Sequence, residues 1–214
     1  MTYLYTGLEA RFNEYDTLEL MFDIGVKPKS PDGTLIGAFD EPILDVGCGR
    51  HALFVKHLRL SGLKTEGIDP EILDELLKEN YLMKGKANAI PRKDNYYSTA
   101  FSHMSLFQGG MLFSAFNFPF IKDGDRVEAY KEMYRRDIKP ELMTTLGEIT
   151  RVLRPNGTFI IHPLPALWIM DVDKELKERG YRFTVQDVPF KKLPPRMEEA
   201  GFEYTKRLIL KMPE

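Results

Sequence analysis

An α/β fold with a mostly parallel sheet is predicted by three features of the sequence. Short apolar runs alternate with amphipathic ones from Pro42 onward, which is the pattern of strands linked by helices. The first of these runs ends in a glycine turn, Gly47-Cys48-Gly49. The second ends on an acid, Asp69, twenty residues after Gly49.

The chain has 214 residues, enough for one domain. Its 43% hydrophobic and 29% charged content excludes a disordered or low-complexity chain. Lys+Arg 30 against Asp+Glu 32 gives a net charge of -2, so no general attraction to nucleic acid or anionic membrane is expected. The single cysteine, Cys48, cannot form an intramolecular bridge. No apolar run reaches the ~18 residues that span a bilayer, and the start lacks a basic region followed by an apolar core. A cytoplasmic protein without membrane segments is the expectation.

Elements follow in order. Leu8, Phe12, Tyr15, Leu18 and Phe22 predict an amphipathic helix, and residues 1–38 an N-terminal cap on the domain. Lys27 to Gly33 reads as a polar turn. Ile43 to Val46 is the first strand of the sheet, and Arg50 to Leu60 a helix with Phe54, Val55 and Leu58 inward, ended by Gly62. Lys64 to Asp69 is the next strand. Glu71 to Asn80 carries a helical stripe, Ile72, Leu73, Leu76 and Leu77, behind Pro70.

Strands are expected at Tyr81–Lys86 and Tyr97–His103, and a helix at Thr144–Leu153. Pro155-Asn156-Gly157 turns into a strand, Thr158–His162. A helix at Asp171–Arg179, a strand at Tyr181–Val188, a short helix at Arg196–Ala200 and a last strand at Tyr204–Lys211 complete the chain. Residues 107–142 form a long insertion over the crevice mouth, with four phenylalanines in 111–120 and a charged helix, Arg126–Ile138. It reads equally as an apolar lid over a hydrophobic acceptor and as a dimer contact or extra core layer.

Gly47 and Gly49 can adopt backbone angles closed to other residues and let a ligand lie on the main chain. Amides at the following helix start favour an electron-rich group. Asp69 stands where a carboxylate accepts hydrogen bonds from ribose hydroxyls. Gly47 to Ala52 also fits the G-x-G-x-x-A dinucleotide pattern, which keeps a nicotinamide oxidoreductase as a rival. Asp45 argues against it, because a carboxylate two residues before the turn would repel a pyrophosphate. A ligand with ribose, a cationic amine and no phosphate suits it better.

Ile43-Leu44-Asp45-Val46-Gly47-Cys48-Gly49 resembles the first motif of class I S-adenosylmethionine-dependent methyltransferases, and Glu66-Gly67-Ile68-Asp69-Pro70 the second-strand motif. Gly85 to Asn95 resembles the family's adenine-receiving segment, and Glu148 to Gly157 its helix-turn-strand motif. The likeness covers Pro42 to Ile161 and is nearest the small-molecule enzymes of the ubiquinone and menaquinone type. It implies a Rossmann-like sheet of seven strands with helices on both faces and an antiparallel last strand.

The resemblance further implies S-adenosylmethionine as cofactor and methyl transfer to a small, aromatic or lipophilic acceptor. Asp45, Gly47, Cys48, Gly49, Asp69, Ala87, Asn88 and Ser102 are the expected cofactor contacts. His103, after the fourth strand of the sheet, is the expected general base, and His162, closing the fifth strand, is a second candidate for the same crevice. No metal constellation is expected. Cys48 reads as a buried filler. The chain departs from the family at His51, where a third glycine is common, at Lys86, where an acid is usual, and at Ser98, where an Asp is usual. These departures support an alternative, a non-catalytic binding protein on the same scaffold.

Overall fold

The computed structural model describes residues 27–28, 35–36, 40–60, 62–103, 132, 135–136, 139–162, 174–189 and 204–214. The expected helices Leu8–Phe22 and Arg196–Ala200 and the phenylalanine-rich segment 111–120 lie outside these residues. So does all but isolated positions of Arg126–Ile138.

Two short strands, β1 (Lys27–Pro28) and β2 (Leu35–Ile36), pair antiparallel, so the first two residues of the predicted polar turn are strand. The main sheet contains β3 (Ile43–Val46), β4 (Thr65–Asp69), β5 (Leu82–Lys84) and β6 (Tyr97–His103). It continues with β7 (Leu153–His162), β8 (Arg182–Pro189) and β9 (Tyr204–Lys211). The spatial order is β5-β4-β3-β6-β7-β9-β8. Pairings from β5 to β7 are parallel, and β9 runs antiparallel to both neighbours. The expected Rossmann-like sheet with an antiparallel last strand is therefore the fold of this chain.

Each helix has a face of the sheet to cover. Helix α1 (Leu53–Leu60) buries Phe54, Val55 and Leu58, as its spacing predicts. Phe54 meets Phe101 of β6 edge-to-face, with ring centroids 5.0 Å apart. Gly62 takes a left-handed φ of 85° and, with Leu63, donates back to the carbonyls of Arg59 and Leu58. That double closure ends the helix. Helix α2 (Lys139–Val152) starts five residues before the expected position, with Pro140 in its first turn. Its Leu142, Leu146, Ile149 and Val152 pack on Leu44, Val46, Ala100, Phe159 and Ile161, the opposite face of the sheet.

Three local expectations need correction. The helix expected at Glu71–Asn80 is a single 3₁₀ turn, Asp74–Leu76. The amide of Glu71 donates to Asp69 and that of Leu73 to the carbonyl of Arg50. Only Ile72 of the apolar stripe is fully buried. Second, α1 begins at Leu53 and not at Arg50, because Ala52 sits at a left-handed φ of 47° and acts as the cap, its carbonyl receiving Lys56.

Third, Pro155-Asn156-Gly157 does not separate helix from strand but forms an irregularity inside β7. Tyr97 pairs with Leu153 and Thr99 with Thr158, so the strand carries extra residues there. Asn156 takes a φ of 61°. A Cβ on Gly157 would lie 2.7 Å from the carbonyl oxygen of Arg154, which explains the glycine.

Candidate functional site

The sheet order locates the site before any motif is consulted. Chain connections leave β3 toward β4 and β5 on one side, and the next strand, β6, lies on its other side. Ligands in open parallel sheets bind at such a reversal, outside the carboxyl ends of the strands. The turn after β3 lies there. Gly47 and Gly49 have φ of 78° and 74°, a region that favours glycine. The amides of Gly47 and Cys48 both donate to the carbonyl of Ile68, which ties the turn to β4.

Asp69 ends β4 beside this turn. One oxygen accepts from the Gly49 amide at 3.0 Å and the other from the Glu71 amide at 2.8 Å. Each carboxylate oxygen keeps a further lone pair for a hydroxyl donor. Burial raises the Asp69 pKa above the ordinary value, and the two amide donors lower it in part.

Asp45 is different. It is 3% exposed, and among the described residues no group donates a hydrogen bond to its carboxyl. Burial, then the neighbouring Asp69 charge, push its pKa well above the carboxylate range. In register it pairs with Gly67 of β4 and Phe101 of β6, so all three share the α1 face.

Cys48 packs against that same β4 neighbour. A Cβ on Gly67 would meet the Cys48 Sγ at 2.7 Å and Val55 Cγ2 at 2.8 Å. Burial and both carboxylates push the thiol up, so Cys48 is held as a neutral filler. Gly67, part of the second-strand motif but not among the expected contacts, packs directly behind the candidate site. Its signal was a glycine inside a strand, a mark of close approach.

Ala87 and Asn88 lie in the turn after β5, closed by the Ala89 amide on the Lys86 carbonyl at 3.1 Å. Their own amides find no acceptor among the described residues. Since β3, β4 and β5 are parallel, this turn, Asp69 and the glycine turn share one edge of the sheet.

The remaining expected residues divide. Ser102 is buried, but strand alternation puts it on the α2 face, opposite Asp45. Its register partner is Ile161. His103 and His162 are register partners at the carboxyl ends of β6 and β7; their side chains lie outside the described residues. His51 is half-buried in the turn before α1, and Lys86 is exposed. Ser98 holds the chain just before β3, its hydroxyl donating to the Glu41 carbonyl at 2.8 Å.

Two polar clusters beside the site were not foreseen. Glu66, buried in β4, accepts from Arg92 Nε at 2.7 Å, Tyr97 Oη at 2.6 Å and Tyr96 Oη at 3.2 Å. Arg151 of α2 forks onto Glu148 and also donates to the carbonyls of Ile90 and Arg92. Asp94 pairs with the same guanidinium at 2.5 Å. Among the described residues no group of metal-ligating side chains gathers, and no helix is long and apolar enough to cross a membrane.

No family model and no curated protein matches the sequence. Solved structures are similar in fold. One is an S-adenosylmethionine-dependent methyltransferase from Aquifex aeolicus, 17% identical with a TM-score of 0.46; the match covers 92% of this chain and 89% of that one. Geranyl diphosphate C-methyltransferase from Streptomyces coelicolor A3(2) is 13% identical with a TM-score of 0.48, over 96% and 80%. The [4+2]-cyclase SpnF is 16% identical with a TM-score of 0.47, over 80% and 74%. At these values the likenesses carry no information on substrate or reaction. What the site can do follows from its own residues.

Proposed function

We propose that the chain binds S-adenosylmethionine at the carboxyl edge of β3, β4 and β5 and transfers its methyl group to a small-molecule acceptor. The observation that carries this reading is Asp45, a buried carboxyl without a donor among the described residues, beside the left-handed glycine turn. A buried carboxylate of this kind is costly until a cation or donor reaches it. The ligand's ammonium meets that need, and a pyrophosphate would aggravate it.

The other residues fit the same ligand. The remaining lone pairs of Asp69 suit ribose hydroxyls. The open amides of Ala87 and Asn88 suit the acceptor nitrogens of a purine. Gly47 and Gly49 let the main chain approach the ligand closely. When bound, the cofactor supplies an electrophilic methyl on a sulfonium. The protein then has to align acceptor and methyl and to exclude water. His103, at the end of β6, is the base we assign where the acceptor is a hydroxyl or an acidic carbon. An aromatic or lipophilic acceptor is proposed from the phenylalanines of 111–120.

Calorimetric titration with S-adenosylhomocysteine, S-adenosylmethionine and NADH tests the reading. Micromolar binding of both adenosyl ligands is expected, with none for NADH and with loss in an Asp69→Ala variant that melts as a folded protein. Absence of adenosyl binding in the wild type, or tight binding of NADH, would overturn it.

A further inference from the structure

The connection from β5 to β6 spans residues 85–96 and contains no regular element. Charged side chains of α2 replace the missing ladder. Glu148 Oε1 accepts from the Ile90 amide at 2.8 Å, and Arg151 Nη2 donates to the Ile90 carbonyl at 3.0 Å. Both main-chain groups of one residue are thus held by a side-chain pair one helical turn apart. Arg151 Nη1 also donates to the Arg92 carbonyl at 2.9 Å, and the Asn95 amide donates to the Arg151 carbonyl at 3.0 Å. Ile90 itself is buried in the core at 3% exposure.

The open amides of Ala87 and Asn88 lie three and two residues before this anchor. One bond closes their own turn, so their direction depends on where Ile90 is fixed. We infer that Glu148 and Arg151 are positioning residues that aim the Ala87–Asn88 amides at the ligand's purine, and so set its base selectivity from the helix beneath the site. The inference rests on the proposed function. Charge-assisted bonds are the stronger kind, and a lysine cannot reproduce the planar fork that reaches Glu148, Ile90 and Arg92 together.

The test compares wild type, Arg151→Lys and Glu148→Gln by titration with S-adenosylhomocysteine and S-inosylhomocysteine. Adenine N1 accepts a hydrogen bond, whereas hypoxanthine N1 carries a proton and cannot. For S-adenosylhomocysteine, Arg151→Lys should weaken binding by about tenfold, the loss of one charge-assisted bond's worth of positioning. The weak affinity for the inosyl ligand should not change. Glu148→Gln, which keeps an acceptor for Ile90, should show a smaller loss in the same direction.

Hydrogen exchange should show faster exchange at the Ile90 amide in Arg151→Lys, with β3 and β4 amides unaltered. Equal losses for both ligands would mean a merely structural clamp and would overturn the inference, as would affinities unchanged from wild type in both variants. If wild type binds neither adenosyl ligand, the functional reading fails first and the inference with it.

Discussion

Asp45 and Glu66 are buried carboxylates on adjacent parallel strands, 3% and 7% exposed. They face opposite sides of the sheet and meet opposite surroundings. Glu66 is enclosed by a guanidinium and two phenols. Asp45 has glycines, a neutral thiol and another acid nearby. A buried carboxylate with its donors in place holds the fold together. One without a donor among the described residues is a candidate for a ligand to supply it.

That contrast predicts opposite results for the two residues. Glu66→Ala strands the buried Tyr97 hydroxyl and leaves Arg92 without its partner, so a loss of about 3 kcal/mol is expected in urea denaturation. Ligand affinity should fall only as far as the fold loosens. Gly67→Ala tests the packing next to Asp45. The new Cβ would lie 2.7 Å from Cys48 Sγ and 2.8 Å from Val55 Cγ2, an overpacking expected to cost about 2 kcal/mol. A Gly67→Ala, Cys48→Ala double variant should recover part of that loss.

Asp45→Asn should have the smallest effect on stability, within about 1 kcal/mol of wild type and on the stable side, while adenosyl binding falls. Its signature is pH dependence. The native pKa of Asp45 lies above the ordinary value of 3.8, so the native state holds a proton that the unfolded chain has released. The group's contribution is therefore best below that value and declines as pH rises toward the native pKa. Asp69, also raised, acts with the same sign. Denaturation midpoints across this range should fall less steeply in Asp45→Asn than in wild type. An identical slope would show that Asp45 finds a donor after all.

Much of the site was legible because its signals are local. A glycine pair after an apolar run demands a tight turn wherever the chain goes, and φ of 78° and 74° are what it delivers. The spacing from Gly49 to Asp69 spans one helix and one strand, and the two residues meet at 3.0 Å. The helix expected at 71–80 is a single 3₁₀ turn: only Ile72 of its stripe is fully buried, so the rest of that apolar face has little core to cover. Ser102 is expected in the crevice from its place at the carboxyl end of the fourth strand. The sheet's alternation assigned it to the other face.

By itself the sequence determined the strand and helix alternation, the glycine turn and the acids that flank it, since periodicity and backbone constraint act over a few residues. It also determined the antiparallel last strand, through its likeness to a known family. Only the tertiary structure decided which acids are satisfied. Glu66 finds Arg92 and Tyr97 across 26 and 31 residues, and Arg151 reaches Ile90 across 61. Partners at such separations are chosen by how strands and helices stack, and no local pattern encodes them.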